Sequence, residues 1–315
     1  MSIFHPAKEE LFFKSSKKQD PRLGELVLKN NPSQDSVIYL AGYPDDEGIR
    51  INGGRVGASQ APDMIRMSLY KMTPSAWSEK PLSLVDRGNL LLGDNLEKRH
   101  ENLKNEIAQS LTGKNKWIGL GGGHDYGYPD GAGFLLSQQK SSHKPLVINF
   151  DAHLDVRPTE DGLSSGTPFF RLLSDKSLPA FDFLEVGLQS QCNSKTHLEW
   201  LKAQGGTALT LDELTENGQF VENFLEMSAH LLLHPRPAFL SVDIDAFSSA
   251  YAPGCSQSWA TGLEPNSFMQ LFKILLKRLD VRMLSIYEVS PPLDTDNRTS
   301  KLAAQIVHSF LHPSH

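Results

Sequence analysis

The chain has 315 residues, 39% hydrophobic and 22% charged, the composition of an ordinary globular protein long enough to bury a sizeable core. Its formal net charge of -6 offers no general attraction to nucleic acid or to an anionic membrane, and no apolar run reaches membrane-spanning length. Two cysteines, Cys192 and Cys255, cannot build a disulfide framework, and the opening MSIFHPAKEELFF turns acidic too early for a signal peptide, so a cytoplasmic location is expected.

Short apolar runs alternate with longer amphipathic ones along the chain. The first half reads as strand Val37–Gly42, helix Ala61–Lys71 opened by Pro62, strand Leu82–Asp86, helix Leu96–Leu111, strand Trp117–Leu120 and helix Gly131–Lys140. Strand Leu146–Phe150, helix Pro168–Leu173, strand Phe183–Gly187, helix Thr196–Gln204 and strand Thr207–Leu209 follow. The last elements are helix Phe220–Leu233, strand Phe239–Val242, helix Asn266–Arg278, strand Met283–Tyr287 and helix Thr299–Leu311. LVINF and FLSV are apolar on both faces, as in a buried parallel sheet, which needs helices on both sides. No linker or repeat interrupts the pattern, so residues 1–315 are expected to form a single domain with 1–35 as an N-terminal extension. Lys14, Lys17 and Lys18 in that extension are flanked by acids and read as a solvated face.

Three segments place metal-competent side chains where a strand should end: Gly121-Gly122-Gly123-His124-Asp125, Asp151-Ala152-His153-Leu154-Asp155 and Asp243-Ile244-Asp245. In an open parallel sheet, ligands bind beyond the carboxyl ends of the strands, so segments distant in sequence can converge there. Alternation along extended backbone lets Asp151, His153 and Asp155 face one way, as do Asp243 and Asp245. Singly, His124 reads as a loop histidine and a strand-end aspartate as a helix cap. The three glycines suggest a phosphate loop only weakly, since no Gly-Lys-Ser/Thr follows. Together the three segments supply two imidazoles and four carboxylates, and four carboxylates packed together would repel and raise one another's pKa values unless cations sat among them. Oxygen-rich ligation without thiolate favours manganese over copper or structural zinc.

In that order, GGGHD, DAHLD and SVDID resemble the metal signatures of the ureohydrolase superfamily, which includes arginase, agmatinase and formimidoylglutamase. The resemblance runs from about Gly42 to the C-terminus. It implies a three-layer α/β/α sandwich with a mainly parallel eight-stranded sheet and a pair of Mn2+ ions. By that likeness one ion would be held by His124, Asp151, Asp155 and Asp243, the other by His153, Asp151, Asp243 and Asp245. Glu288 corresponds to a glutamate that grips the substrate's amidinium, and Asp155 to the group that passes a proton to the leaving nitrogen. The implied reaction is metal-assisted attack of water on an amidine carbon.

Two departures narrow the substrate. Arginases and agmatinases usually carry a proton-shuttling histidine where this chain has Ser165, and a serine hydroxyl does not titrate near pH 7. Arg157 stands where arginases keep an asparagine, and a guanidinium favours a substrate tail bearing carboxylate. SSGTPFF, DAHLDVRP, FHPAKEELF and INGGRVGA all resemble formimidoylglutamase, implying conversion of N-formimidoyl-L-glutamate and water to L-glutamate and formamide, as in histidine degradation. Arg55, Gln189 and Asn193 are further candidates for the tail pocket. The partner expected is thus a small-molecule amidine with a carboxylate tail. The resemblance leaves a homo-oligomer open, since family members often form trimers or hexamers. The alternatives are an amidinohydrolase of the same superfamily that releases urea, and a metal-free, inactive member with a structural or regulatory role.

Overall fold

A computed structural model describes residues 2–17, 19–28, 36–75 and 82–313; Lys18 and residues 29–35 of the expected N-terminal extension lie outside the described residues. The strands are β1 (Phe4–His5), β2 (Ile38–Gly42), β3 (Leu84–Leu90), β4 (Lys116–Leu120), β5 (Leu146–Phe150), β6 (Asp182–Leu188), β7 (Thr207–Thr210), β8 (Pro237–Asp243) and β9 (Asp280–Tyr287). They form one sheet in the order β1-β3-β2-β4-β9-β8-β5-β6-β7. Eight strands run parallel, as expected. The ninth, β1, pairs antiparallel with β3 through Phe4↔Leu90 and His5↔Asn89 and comes from the N-terminal segment, which also sends Leu11 and Leu23 into the core.

Alternation along the strands builds two cores, one on each face. Leu146, Ile148 and Phe150 of β5 point to the face that also buries Leu240 and Val242 of β8, Ile65 of helix Ala61–Leu69, Phe268 of helix Pro265–Arg278 and Ile306 of helix Arg298–Leu311. Val147, Phe239 and Trp117 point to the other face, among Leu103 of helix Leu96–Ser110, Phe134 of helix Gly127–Ser137, Phe169 of helix Pro168–Ser174 and Leu201 of helix Lys195–Ala203. The result is the three-layer sandwich of helices, sheet and helices.

Helix Leu96–Ser110 starts where the Asn95 side chain accepts the Lys98 N–H at 2.9 Å, and it buries Leu96, Arg99, His100, Leu103 and Ile107 along one stripe. Helix Gly127–Ser137 begins four residues before the expected Gly131, because Pro129 falls in its first turn and needs no intrahelical N–H partner there. β3 extends past the expected Asp86 to Leu90.

One buried ion pair ties helix Ala61–Leu69 to β3. Arg66 donates to both oxygens of Asp86 at 2.8 and 2.9 Å, to Asn89 Oδ1 at 2.7 Å and to the Gly88 carbonyl at 2.9 Å, with Tyr70 also donating to Asp86. Arg66 and Asp86 side chains are 0% and 2% exposed, so removing one strands the other in low dielectric. Arg66→Leu should therefore cost about 3–5 kcal/mol in urea denaturation, and a loss under about 1 kcal/mol would contradict this account.

Candidate metal centre

Four neighbouring strands, β4, β9, β8 and β5, deliver every candidate group from their C-terminal ends: His124 after β4, Glu288 after β9, Asp243 and Asp245 at β8, and Asp151 to Asp155 after β5. The loop after β4 threads a narrow space. Gly121 N–H donates to the Ile286 carbonyl at 2.7 Å and Gly123 N–H to the Asp45 carbonyl at 2.9 Å. A Cβ on Gly122 would lie 1.7 Å from that Asp45 oxygen, so close backbone approach accounts for the glycines.

His124 is buried, its ring stacked on Tyr287 at 4.7 Å and edge-on to Phe169 at 5.3 Å, with Nε2 3.1 Å from Ser241 Oγ. Its Nδ1 lies 3.0 Å from one oxygen each of Asp151, Asp155 and Asp243. That nitrogen nevertheless has no hydrogen-bond partner of proper geometry. Donors in neighbouring positions around a six-coordinate ion with bonds of about 2.1 Å are spaced at about 3 Å, so these four atoms fit a cation. In a second group, His153 Nδ1 is 3.4 Å from Asp151 Oδ1 and 3.2 Å from Asp245 Oδ2. Asp151 thus offers one oxygen to each group. Asp245 Oδ1, also buried, has no partner.

All six expected ligands come together in two overlapping groups. Asp243 joins the first group alone: its Oδ2 faces His124 while its Oδ1 accepts the Asp245 N–H at 2.8 Å, and the second group consists of Asp151, His153 and Asp245.

The electrostatics follow from crowding. Burial opposes charge on His124 and His153, but the surrounding carboxylates overcome it and raise both imidazoles well above the usual range. Burial raises Asp243, with Asp245 and Asp151 adding repulsion; burial and Asp151 raise Asp155. Asp151, facing both imidazoles, is lowered despite its burial. Burial lifts Glu288 to about 8, opposed by the His124 N–H donated to its Oε1 at 3.0 Å and reinforced by Asp245. Asp155 and Glu288 both adopt left-handed backbone, with φ of 49° and 63°, a conformation disfavoured for residues with a Cβ and held here by their surroundings.

A cavity of about 390 Å³ opens over these groups, lined by His153, Asp155, Asp243, Asp245 and Glu288 together with Arg157, Ser165 and Asn193. Asn193 uses its side chain on backbone, accepting from Leu154 N–H and donating to Ala152 O. Gln189 and Arg55 are not brought to the cavity. The Gln189 amide is tied to Thr261 and Gln191, and the Arg55 guanidinium donates to the carbonyls of Cys255 and Ser256. Asn52 and His197 are among the lining residues that escaped sequence reasoning. Asn52 accepts from Arg157 Nη1 at 2.8 Å and donates to Ser165 Oγ at 3.1 Å; its Asn-Gly dipeptide signalled only a turn. His197 lies in the first turn of helix Lys195–Ala203, behind the Ser194 cap.

In the metal-free protein the raised imidazoles carry protons near pH 7. Charged histidines there contribute stability that is present below the ordinary histidine pKa and lost as pH rises through their raised values. Since metal requires neutral imidazole, loading near pH 7 should release protons, and affinity should fall as pH falls. Calorimetric titrations in two buffers of different ionisation enthalpy should give different heats; identical heats would contradict this.

Residues 37–312 match the model of the Arginase family. Similar proteins include formimidoylglutamases of Staphylococcus haemolyticus (30% identical, covering 93% of this chain and 91% of the relative) and Clostridium tetani (33%, covering 86% and 80%). The formiminoglutamase of Trypanosoma cruzi, solved with Mn2+, superposes with a TM-score of 0.78 at 28% identity over 93% of this chain and 97% of that one. The formimidoylglutamase of Bacillus subtilis gives 0.81 at 25% over 95% and 93%. A polypeptide with this sheet order, these strand-end carboxylates and these relatives belongs to the arginase family.

Proposed function

We propose that the protein hydrolyses N-formimidoyl-L-glutamate to L-glutamate and formamide at a pair of manganese ions. The observation that carries the reading is one cavity lined both by Asp155 and Asp243 of one ligand group and His153 and Asp245 of the other, with Glu288, and by Arg157, so that an amidine and a carboxylate on one small molecule are served together. The names of the relatives and the manganese in the Trypanosoma cruzi structure support the substrate and the metal.

His124, Asp151, Asp155 and Asp243 would hold one ion and Asp151, His153 and Asp245 the other; bound ions supply a water of lowered pKa and a Lewis acid. Glu288 orients the amidine: its carboxyl is fixed by the His124 N–H, and a carboxylate accepts strongly from an amidinium. Arg157, held by Asn52, takes a carboxylate of the tail. Asp155 takes the proton given up as water adds to the carbon and hands it to the departing amine nitrogen, so the C–N bond breaks with glutamate leaving as an amine and the carbon retained in formamide. Ser165 fixes Asn52 instead of titrating.

Manganese-loaded protein offered N-formimidoyl-L-glutamate, arginine, agmatine and guanidinobutyrate should release formamide from the first and little urea from the others; turnover of arginine alone would overturn the proposal. Arg157→Ala should raise KM about ten- to hundredfold, the loss of a charge-assisted hydrogen bond, while bound metal is unchanged. An unaltered KM removes Arg157 from the site. Glu288→Gln should lower kcat/KM by about a hundredfold with metal retained.

A further inference from the structure

Asp125, immediately after a candidate ligand in GGGHD, is 1% exposed yet belongs to neither ligand group. Its Oδ2 lies 2.9 Å from Nε2 of His100, which is 0% exposed on helix Leu96–Ser110. The other nitrogen of that ring, Nδ1, lies 2.8 Å from Nη1 of Arg171 on helix Pro168–Ser174, whose guanidinium also sits 3.6 Å over the Tyr128 ring. A guanidinium can only donate, so Nδ1 must be bare, and the ring's single hydrogen must sit on Nε2 and point at Asp125. Arg171 thereby fixes His100 as one neutral tautomer, and burial, with Arg171's charge, lowers its pKa in agreement.

The turn that Asp125 occupies, His124–Tyr126, does two things for the site: it carries the His124 ring and gives the His124 N–H to Glu288 Oε1. Asp125 also packs against the segment that holds Asn52. A Cβ on Gly48 would come 2.1 Å from Asp125 Oδ1, and one on Gly123 2.4 Å, so both neighbours close on the carboxylate. Resting on the hydrolase reading above, we propose that Arg171, His100 and Asp125 form a positioning relay that sets the His124 turn and, through it, both the first ligand group and the Glu288 carboxyl. None of the three touches substrate. Arg171 lies one turn beyond the Ser164–Thr167 segment, its N–H donating to the Thr167 carbonyl at 3.2 Å, so one staple from two helices holds the metal side and the substrate side in register.

The test uses the full chain. In metal-free protein labelled with 15N-histidine, with His100 assigned through His100→Gln, long-range proton–nitrogen spectra should show hydrogen on Nε2 only; hydrogen on Nδ1 would overturn the relay. Arg171→Met should allow the ring to flip, weakening Mn2+ binding about ten- to hundredfold by calorimetry, as loss of groups that orient ligands generally does. Arg171→Lys, still a donor, should recover most of it. Folding is checked by thermal melts. Folded Arg171→Met protein with Mn2+ affinity within twofold of the parent would overturn the proposal, and so would Arg171→Lys falling as far as Arg171→Met. Neither readout depends on the substrate, so the hydrolase reading can fail while the relay stands, or the reverse.

Discussion

Asp151, Asp155, Asp243 and Asp245 are pressed together in a space largely closed to water, and their mutual repulsion is the constraint to which the C-terminal edge of the sheet answers. Two imidazoles cannot neutralise four carboxylates. The unpartnered His124 Nδ1 and Asp245 Oδ1 mark where the missing positive charge belongs, because buried polar atoms without partners are costly and persist where function requires them. The fold opposes the repulsion with covalent and hydrogen-bonded rigidity. Asp151 Oδ1 accepts the His153 N–H at 2.7 Å and Asp243 Oδ1 the Asp245 N–H at 2.8 Å, so each carboxylate is aimed by the backbone two residues on.

Strand adjacency makes this affordable in chain terms. β4, β9, β8 and β5 are neighbours although the ends of β4 and β9, Leu120 and Tyr287, lie 167 residues apart in sequence, and parallel direction brings all four C-termini to one edge. Behind them stands a second buried polar layer. Asn149 on β5 donates to Glu185 on β6 at 2.9 Å and lies 3.3 Å from Asp151, while burial and the charges of Asp151 and Asp155 raise Glu185 well above the usual carboxyl range. The loops and turns that carry the centre therefore rest on a buried polar layer of the sheet.

The ligand set was legible because Asp-x-His-x-Asp and Asp-x-Asp at the end of apolar runs are local signals, although the expected extended alternation does not hold: residues 151–155 leave the strand, Asp155 is left-handed with φ of 49°, and Ile244–Ala246 is a 3-10 turn. What was not legible depends on partners far away in sequence. His100 looks like one position of an amphipathic helix until Arg171 and Asp125 close on it, and Asn52 looks like a turn until Arg157 arrives. The start of helix Gly127–Ser137 was hidden by Gly127 and by Pro129 in its first turn, whereas the glycines further along it serve packing. A Cβ on Gly131 would meet Leu172 at 2.8 Å and one on Gly133 the Lys104 carbonyl at 2.7 Å, so the residues that weaken the helix locally are those that let three helices pack closely. β1 has two residues, too few for any period to show. Gln189 and Arg55 were drawn toward the site by neighbouring motif residues, whereas their side chains fasten loops.

The two departures from the arginase pattern turn out to be one arrangement. Ser165 accepts from the Asn52 amide, and the amide's carbonyl then accepts from Arg157, so the chain of contacts runs hydroxyl, amide, guanidinium. A serine here supplies an acceptor small enough to sit 8% exposed beside the cavity, while the guanidinium, which can only donate, orients Asn52 with oxygen toward the arginine and leaves the amide N–H for the serine. Under the proposed function, giving up a titrating side chain at this position and gaining a cation for a carboxylate tail are therefore physically linked. An imidazole at 165 would compete for Asn52 with both a donor and an acceptor, whose balance shifts with pH. Selectivity for an anionic tail and independence from a shuttling histidine would then follow from the same three side chains.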